Sequence, residues 1–378
     1  MRYESDGKVL VEVWLAGTLP IVTVESYLAY FYHTMFQRVK SSALLFSTIY
    51  WVLTTNFYVL IRFAGDLSEE GQPIRTIWLH LQVTITAIII GMLLNLLNHA
   101  NLGGSRAKKS FGWTVLVNTA IYLLFFAIVI FLSSLYGNTF DFAKSFFLST
   151  ESLVALAFMT VNSLIFHFIL QMNRLLGPEV LMEYISGKYF TPVEEERIFM
   201  FLDLKSSTTI AEQLGHSSYS KLIQDCFSIV STPAQRNGAR IYQYVGDEVV
   251  LTWKFSSEST KACIGFFFHF QQLLNDQSEY FLEQYEVVPE FKAGVHFGQV
   301  MVTQVGELKS EIAYHGDVLN AAARIQGMCN QFEASFLISE RLLTQIYLPD
   351  AYTANYLGNL ILKGKQERIK VHSINMAR

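Results

Sequence analysis

The stretch from Arg197 to Thr208 reads Arg-Ile-Phe-Met-Phe-Leu-Asp-Leu-Lys-Ser-Ser-Thr. Its apolar run, Ile198 to Leu202, predicts a strand that is buried on both faces. The run is followed by a carboxylate, Asp203, and then by small hydroxyl residues that suit a helix N-terminus. An acid at that position can bind a cation beside N–H groups that hold phosphate. The alternative interpretation is a simple helix cap.

A second stretch, Arg240 to Trp253, favours the cation site. It reads Arg-Ile-Tyr-Gln-Tyr-Val-Gly-Asp-Glu-Val-Val-Leu-Thr-Trp. Two β-rich runs flank Gly246 and Asp247, and this dipeptide is a strong signal for a tight hairpin. The hairpin places Asp247 at a tip where it can meet Asp203. The sequence therefore predicts a two-carboxylate site for hard divalent ions.

Two further motifs follow in the chain, Asn320-Ala321-Ala322-Ala323-Arg324 and Leu362-Lys363-Gly364-Lys365. Together with Asp203 and Asp247, in this order and spacing, they closely resemble the catalytic domain of class III nucleotide cyclases. The resemblance covers roughly Phe190 to Ile374. It implies an α+β domain with a ferredoxin-like βαββαβ core. The predicted alternation of elements is compatible with that core: a strand to Leu204, a helix near Tyr219–Val230, the hairpin Ile241–Trp253, a helix Thr260–Leu274, a strand Phe291–Val305, a helix Val318–Cys329, a strand Ser335–Ser339, and final strands around Gly358–Leu362 and Arg368–Ser373.

The resemblance also implies a chemistry, the conversion of a nucleoside triphosphate to its 3′,5′-cyclic monophosphate and pyrophosphate. Two Mg²⁺ or Mn²⁺ ions per site would be held by Asp203, the Leu204 carbonyl and Asp247. The start of the next helix would hold the phosphates through Lys205, Ser206, Ser207 and Thr208. Asn320 would orient the ribose, Arg324 would stabilise charge at the α-phosphate, and Lys363 would bind the terminal phosphates.

In the family, the last three of these residues come from a partner subunit, which implies a homodimer with two composite sites. Without the resemblance, Arg324 and Lys363 would be interpreted as parts of a solvated face. The base-reading positions depart from the common pattern, because this chain has Gln243 and Ala313 there. An amide offers both a donor and an acceptor, so Gln243 can pair with adenine or guanine. Family frequency favours ATP, while GTP and a pyrimidine triphosphate stay open.

The N-terminal half is expected to be a membrane domain. Mean hydropathy is +0.29, only 16% of residues are charged, and no Asp, Glu, Lys or Arg lies between Thr76 and Ser105 or between Ser110 and Phe140. Spans are predicted at Ala43–Ile61, Ile77–Leu97, Trp113–Leu135 and Leu153–Met172. The predicted organisation is therefore a lead-in at 1–41, a four-helix transmembrane domain at 42–172, a cytoplasmic coupling linker at 173–192 and the catalytic domain at 193–378.

Basic residues before the first span, in the second loop and after the fourth span predict a cytoplasmic catalytic domain on the cell (inner) membrane. Residues 9–32 are a possible fifth span. Within the linker, Val180, Leu181, Tyr184 and Ile185 form an apolar stripe, expected to be a seam between protomers, with docking on the catalytic domain as the alternative. Three histidines, His80, His99 and His167, lie in or near the spans. Internal hydrogen bonding, or interfacial placement for His80 and His99, is favoured over a metal or haem site.

A net charge of −4 argues against a nucleic-acid partner. Cys226, Cys263 and Cys329 lack metal or disulfide spacing and are expected to be reduced thiols in apolar surroundings. The leading hypothesis is thus a membrane-anchored nucleotide cyclase. The alternatives are a signalling module that binds nucleotide without turnover, suggested by Gln243 and Ala313, and a transporter, suggested by the spans alone.

Overall fold

A computed structural model describes residues 41–63, parts of 81–92, 110–135, 145, 148–177, 180–346, 348–361 and 368–377. The chain divides into two compact units, Met1–Met172 and Asn173–Arg378. The predicted lead-in and the possible fifth span, at 9–32, lie outside the described residues, as do His80, His99 and Lys363.

The described part of the first unit is helical. Its helices are α1 (Ser41–Phe63), α2 (Phe111–Leu135) and α3, which spans Thr150–Leu176. Trp51, Tyr122 and Phe166 pack together in its core. Two stretches, Phe111–Ile128 and Thr150–Leu176, are long and apolar enough to cross a membrane, and Leu45–Ile61 is a shorter apolar helix.

Helices α1, α2 and α3 contain the first, third and fourth predicted spans. The second predicted span lies mostly outside the described residues, although those described between 81 and 92 are helical. His167 is buried in α3, where its Nδ1 lies 2.8 Å from the carbonyl oxygen of Ser163. This contact agrees with the internal hydrogen bonding expected of the histidine.

The second unit is built on a mixed sheet flanked by helices. The strands are β1 (Val193–Leu204), β2 (Arg240–Val245), β3 (Glu248–Lys254), β4 (Phe291–Val305), β5 (Glu311–His315), β6 (Phe336–Ser339), β7 (Tyr352–Ile361) and β8 (Arg368–Met376). The helices are α4 (Val180–Ser186), α5 (Ser207–Arg236), α6 (Ser257–Asp276), α7 (Ser278–Tyr285), α8 (Asp317–Gly327) and α9 (Glu340–Leu343). The strand order is β2-β3-β1-β4-β6-β8-β7, with β5 paired to β4.

The order β2-β3-β1-β4 is that of a βαββαβ core, with α5 and α6 as the two crossover helices. Strand β1 is antiparallel to both β3 and β4, whereas β4 is parallel to β6. Strand β1 lies between two neighbouring strands because its side chains are buried on both faces of the sheet. Ile198, Met200 and Leu202 enter the main core, and Phe199 enters a second core on the opposite face. The predicted burial of β1 on both faces is confirmed.

Some elements differ from the sequence expectations. Strand β5 and helix α7 were not expected. Helix α5 begins at Ser207, where the hydroxyl residues after Asp203 suit a helix N-terminus, whereas the apolar period placed its start near Tyr219. The first turns of α5 are rich in Ser and Thr and weak in apolar periodicity, and Gly215 interrupts the helix with a left-handed φ of 70°. Both features hide the helix from a search for a 3.6-residue period.

The apolar stripe of the predicted linker packs partly on the C-terminal unit. Val180 of α4 is buried in the second core, and Tyr184 packs against that core while its hydroxyl donates to the Ser310 carbonyl at 2.9 Å. Ile185 is 69% exposed. Val180 and Tyr184 therefore dock on the catalytic domain, which was the alternative, rather than forming the expected seam between protomers. The three cysteines are free and buried, as expected.

Candidate functional site

Asp203 lies near the C-terminal end of β1, between its two neighbouring strands. Its register partners are Glu248 on β3 and Lys292 on β4, and cross-strand partners project from the same face of a sheet. Lys292 Nζ lies 3.2 Å from Asp203 Oδ2. Gln326, on α8, donates from Nε2 to the same oxygen at 3.0 Å. Among the described residues, none donates to Asp203 Oδ1.

Asp247 occupies the turn between β2 and β3, as the hairpin signal predicts. The preceding Gly246 has φ 63°, a left-handed conformation that glycine adopts without a steric penalty. Burial, followed by the charge of Asp247, raises the pKa of the Tyr219 hydroxyl on α5, so the two side chains lie near each other. The Oδ2 atom of Asp247 is buried and has no hydrogen-bond partner. A buried carboxylate oxygen without a partner costs free energy unless a cation binds to it.

Like charges are concentrated at this end of the sheet. Burial and the charge of Asp247 raise the pKa of Asp203, although Lys292 and Gln326 act in the opposite direction. Burial, followed by the charges of Asp203 and Asp247, raises the pKa of Glu248 to about 7. Asp247 precedes Glu248, the register partner of Asp203, so the two predicted metal ligands lie at the same end of the sheet.

The residues present fit divalent ions. The described part of the chain has no group of three or more His, Cys, Asp or Glu side chains placed to hold a metal. A metal at the Asp203–Asp247 pair would thus take its other ligands from backbone carbonyl, substrate or water oxygens, as Mg²⁺ commonly does. Leu204, whose carbonyl was predicted as a ligand, ends β1 opposite Phe291.

The predicted phosphate-binding turn follows β1 directly. Ser206 adopts a left-handed conformation, φ 57°, and α5 begins at the next residue. Such a backbone costs on the order of 1 kcal/mol in a non-glycine residue and is commonest at functional sites. Ser207 and Thr208 form the first turn of α5.

Lys205 does not fit the predicted phosphate role in this conformation. Its N–H donates to the Glu290 carbonyl at 2.8 Å, and its Nζ lies 3.0 Å from Glu290 Oε2. Both its amide and its charge are therefore directed at Glu290. The predicted phosphate contact therefore fits Ser206, Ser207 and Thr208 better than it fits Lys205.

Helix α8 presents different residues on its two faces. Asn320 and Arg324 are exposed, whereas Gln326 is buried and reaches Asp203. At about 100° per residue, Arg324 projects about 160° away from Gln326 and Asn320 about 120° away. The exposed pair consequently points away from the carboxylate that Gln326 contacts in the same chain.

The predicted base-reading positions lie on neighbouring parts of the sheet. Gln243 is exposed on β2, next to an irregularity in the β2–β3 register. Ala313 lies on β5 opposite Thr303. The adjacent residues, Tyr242 and Tyr314, meet edge to face at 4.8 Å between ring centroids, and this contact brings β2 close to β5.

Lys292 and Gln326 contact Asp203, and Tyr219 lies near Asp247, but none of the three was predicted as a site residue from the sequence. Lys292 carried a usable signal, because it is a charged residue within the otherwise apolar start of β4. No local signal in the sequence pointed to Gln326, because its contact with Asp203 joins residues 123 positions apart. Tyr219 was considered only as the start of a helix.

Residues 192–376 match the family model of the adenylate and guanylate cyclase catalytic domain. This match confirms the class III cyclase resemblance of the C-terminal part of the chain. The match also confirms the cyclase catalytic fold that was expected for the C-terminal half.

Curated relatives are similar over the same region. Adenylate cyclase 2 of Rhizobium meliloti (strain 1021) is 33% identical over 208 residues, which are 55% of this chain and 57% of the relative. Adenylate cyclase of Anabaena cylindrica is 22% identical over 181 residues, 46% of this chain and 36% of that protein. The crystal structure of the adenylyl cyclase CyaB from P. aeruginosa aligns with TM-score 0.45 and 18% identity, covering 50% of this chain and 97% of that chain. The matched region thus spans 57% or less of the length of these curated relatives.

Proposed function

We propose that the chain is a nucleotide cyclase that converts a nucleoside triphosphate, with ATP favoured, to the 3′,5′-cyclic monophosphate. The observation that supports the proposal is that Asp203 and Asp247 lie at the same end of the sheet, where Asp247 Oδ2 is buried without a hydrogen-bond partner. In the reaction, the ribose 3′-oxygen forms a bond to the α-phosphorus, the bond to the β-phosphate oxygen breaks, and pyrophosphate and a proton leave. ATP is favoured because the similar curated proteins are named adenylate cyclases.

Asp203 and Asp247, with the Leu204 carbonyl, would hold two Mg²⁺ or Mn²⁺ ions. When bound, such ions make the 3′-hydroxyl more acidic and neutralise the triphosphate. Ser206, Ser207 and Thr208 would bind phosphate through backbone N–H groups at the start of α5. These contacts hold the two reacting ends of one substrate together, which is the main requirement of an intramolecular displacement.

A homodimer completes the site in this proposal. Asn320 and Arg324 project away from the Asp203 of their own chain, and they would orient the ribose and stabilise the α-phosphate in the partner's site. Lys363 and the base-reading Gln243 and Ala313 would come from the same partner chain. The apolar helices α2 and α3 would anchor the protein in the cell membrane, with the catalytic domain in the cytoplasm.

The primary test is turnover. The purified full chain with Mn²⁺ is incubated separately with ATP, GTP, CTP and UTP, and cyclic nucleotide is measured by chromatography. At least one triphosphate should be converted, and Asp203→Asn and Asp247→Asn should each abolish conversion. Asp350→Asn, which alters an exposed aspartate in a turn far along the chain, is the matched control. No product from any of the four would favour the silent nucleotide-binding module.

Subunit mixing tests the composite site. Asp203→Asn and Arg324→Ala are each expected to be inactive alone. Co-expressed in equal amounts, they form mixed dimers with one intact site, so about a quarter of wild-type activity should return by random pairing of a two-fold dimer. Activity that stays at background in the mixture would contradict the shared site.

A further inference from the structure

The structure places two side chains on Asp203 that the proposed reaction does not use. Lys292 and Gln326 both contact Oδ2, at 3.2 Å and 3.0 Å. The Lys292 side chain is only 14% exposed and that of Asp203 21%, so this ion pair is shielded from bulk water. Gln326 is buried as well. The two contacts come from different elements, β4 and α8, which restrain the carboxylate from two directions.

The two contacts fall on the same oxygen of Asp203 but have opposite electrostatic consequences for a divalent ion. Gln326 is neutral, so its hydrogen bond fixes the orientation of the carboxylate and leaves the negative charge in place. Lys292 carries a positive charge, which compensates the repulsion between Asp203 and Asp247 but also repels an incoming cation. Because both contacts fall on Oδ2, the Oδ1 atom remains available as a ligand.

Resting on the proposed function, we propose that Gln326 and Lys292 are positioning residues that set the metal affinity of the site in opposite directions. Gln326 holds Asp203 in the orientation that binds metal and so raises affinity. Lys292 is the resident counter-ion of the acid pair and so lowers affinity, which sets a threshold concentration for Mg²⁺ or Mn²⁺. Asn330 offers Lys292 a second partner, with Oδ1 at 3.5 Å from Nζ, toward which the ammonium can turn when a metal binds.

Direct metal binding tests this assignment without turnover. Mn²⁺ is titrated into the purified full chain without nucleotide, and the loss of the free-ion electron paramagnetic resonance signal gives the dissociation constant. Gln326→Leu should bind Mn²⁺ about tenfold more weakly, the lower end of effects seen when partners of metal ligands are removed. Lys292→Met should bind Mn²⁺ more tightly, on the order of tenfold.

Matched controls remove similar interactions elsewhere. Lys370→Met breaks the ion pair with Glu340, and Gln304→Leu removes the hydrogen bond to Ser310; both should leave Mn²⁺ affinity unchanged. Thermal unfolding supplies a second readout. In EDTA, Lys292→Met should unfold at a lower temperature than wild type, and Mn²⁺ should raise its unfolding temperature by a larger increment. Lys292→Gln replaces the Met variant in both measurements if the latter does not fold.

Opposite shifts in the two variants support the assignment. Unchanged affinity in both, or weaker binding in both, overturns it. The outcome is separable from that of the proposed function. If wild type binds Mn²⁺ through Asp203 and Asp247 but cyclises none of the four triphosphates, the proposed reaction fails and the positioning role stands. If product forms while neither variant alters Mn²⁺ affinity, only the positioning role fails.

Discussion

Charged side chains are paired near one end of strand β1 and unbalanced near the other. Near its N-terminal end, each oxygen of Glu195 has partners. Oε2 accepts from Arg197 Nε at 2.8 Å, and Oε1 accepts from Tyr189 at 2.8 Å and Lys188 at 3.1 Å. Close by, Arg240 pairs with Glu183 at 2.7 Å. Arg197, only 3% exposed in its side chain, also lies over the Tyr314 ring.

Near the other end, roughly 26 Å away along the strand, three acids lie close together. Burial, followed by the charges of Asp203 and Asp247, raises the pKa of Glu248, and one oxygen of Asp247 has no hydrogen-bond partner. Ionisable groups are buried at both ends, so burial alone does not identify a functional site. What distinguishes the C-terminal end is an unbalanced negative charge that a ligand can neutralise.

The largest effect should come from the unbalanced end. Asp247→Asn removes a proposed metal ligand, and losing several kcal/mol of transition-state stabilisation lowers turnover roughly 10³-fold or more. The same change relieves repulsion with Asp203, so thermal stability in EDTA should stay constant or rise. A clear loss of stability in EDTA would show that the carboxylate is structural.

The balanced end should respond in the opposite manner. Arg197→Met leaves Glu195 buried without its main partner, which should lower the free energy of unfolding by about 3–5 kcal/mol. Urea unfolding measures this loss. The double variant Glu195→Leu with Arg197→Met removes both charges and should recover part of the stability. A single variant as stable as wild type would mean that water reaches this ion pair.

Between the two ends, His296 of β4 lies opposite Phe199 and provides a pH test. Burial, with the charge of Arg341, lowers the pKa of His296 to about 4. The unfolded chain takes up this proton near pH 6.5 and the folded chain does not, so stability is constant above pH 6.5 and falls as the pH drops toward 4. The loss reaches about 3 kcal/mol.

His296→Gln should lack this component. Unfolding free energies of wild type and variant, measured from pH 7.5 to 4.5, should therefore converge as the pH falls. Parallel curves would show that His296 protonates equally in both states.

The smallest effect concerns the link between α4 and β2. Glu183→Gln keeps a hydrogen-bond acceptor for Arg240 but removes the charge, so a stability loss of about 1 kcal/mol is expected. Thermal unfolding detects this change, and Glu340→Gln, which affects the more exposed pair with Lys370, should have less effect. An equal effect of the two substitutions would remove the distinction between the buried ion network and an ordinary surface pair.

Local sequence signals were sufficient for the strands that carry the acids. The apolar run of β1 and the Gly246-Asp247 turn each specify local backbone geometry, and the bounds of β4 were predicted as observed, Phe291–Val305. Strand β5 was not expected, because its run Glu-Ile-Ala-Tyr-His has only five residues and depends on pairing with β4. Isolated strands of that length have little preference of their own.

The environment of the acids could be predicted only in part. That Asp203 and Asp247 meet follows from the order of strand and hairpin, with help from the family pattern. The Gln326 contact depends on how α8 crosses the sheet, and helix packing of that kind is not encoded in local periodicity. The same holds for Val180 and Tyr184, whose apolar stripe suits a protomer seam and a docked face equally well.

Helix α8 has a consequence for communication between subunits. One of its faces restrains the acid of its own chain through Gln326, and the other carries Asn320 and Arg324 toward solvent. In a two-fold assembly, this short rigid segment would touch both reaction centres at once. Any tilt that improved the fit of a substrate at one centre would also move an acid at the other, so the two turnovers would be coupled mechanically rather than run independently.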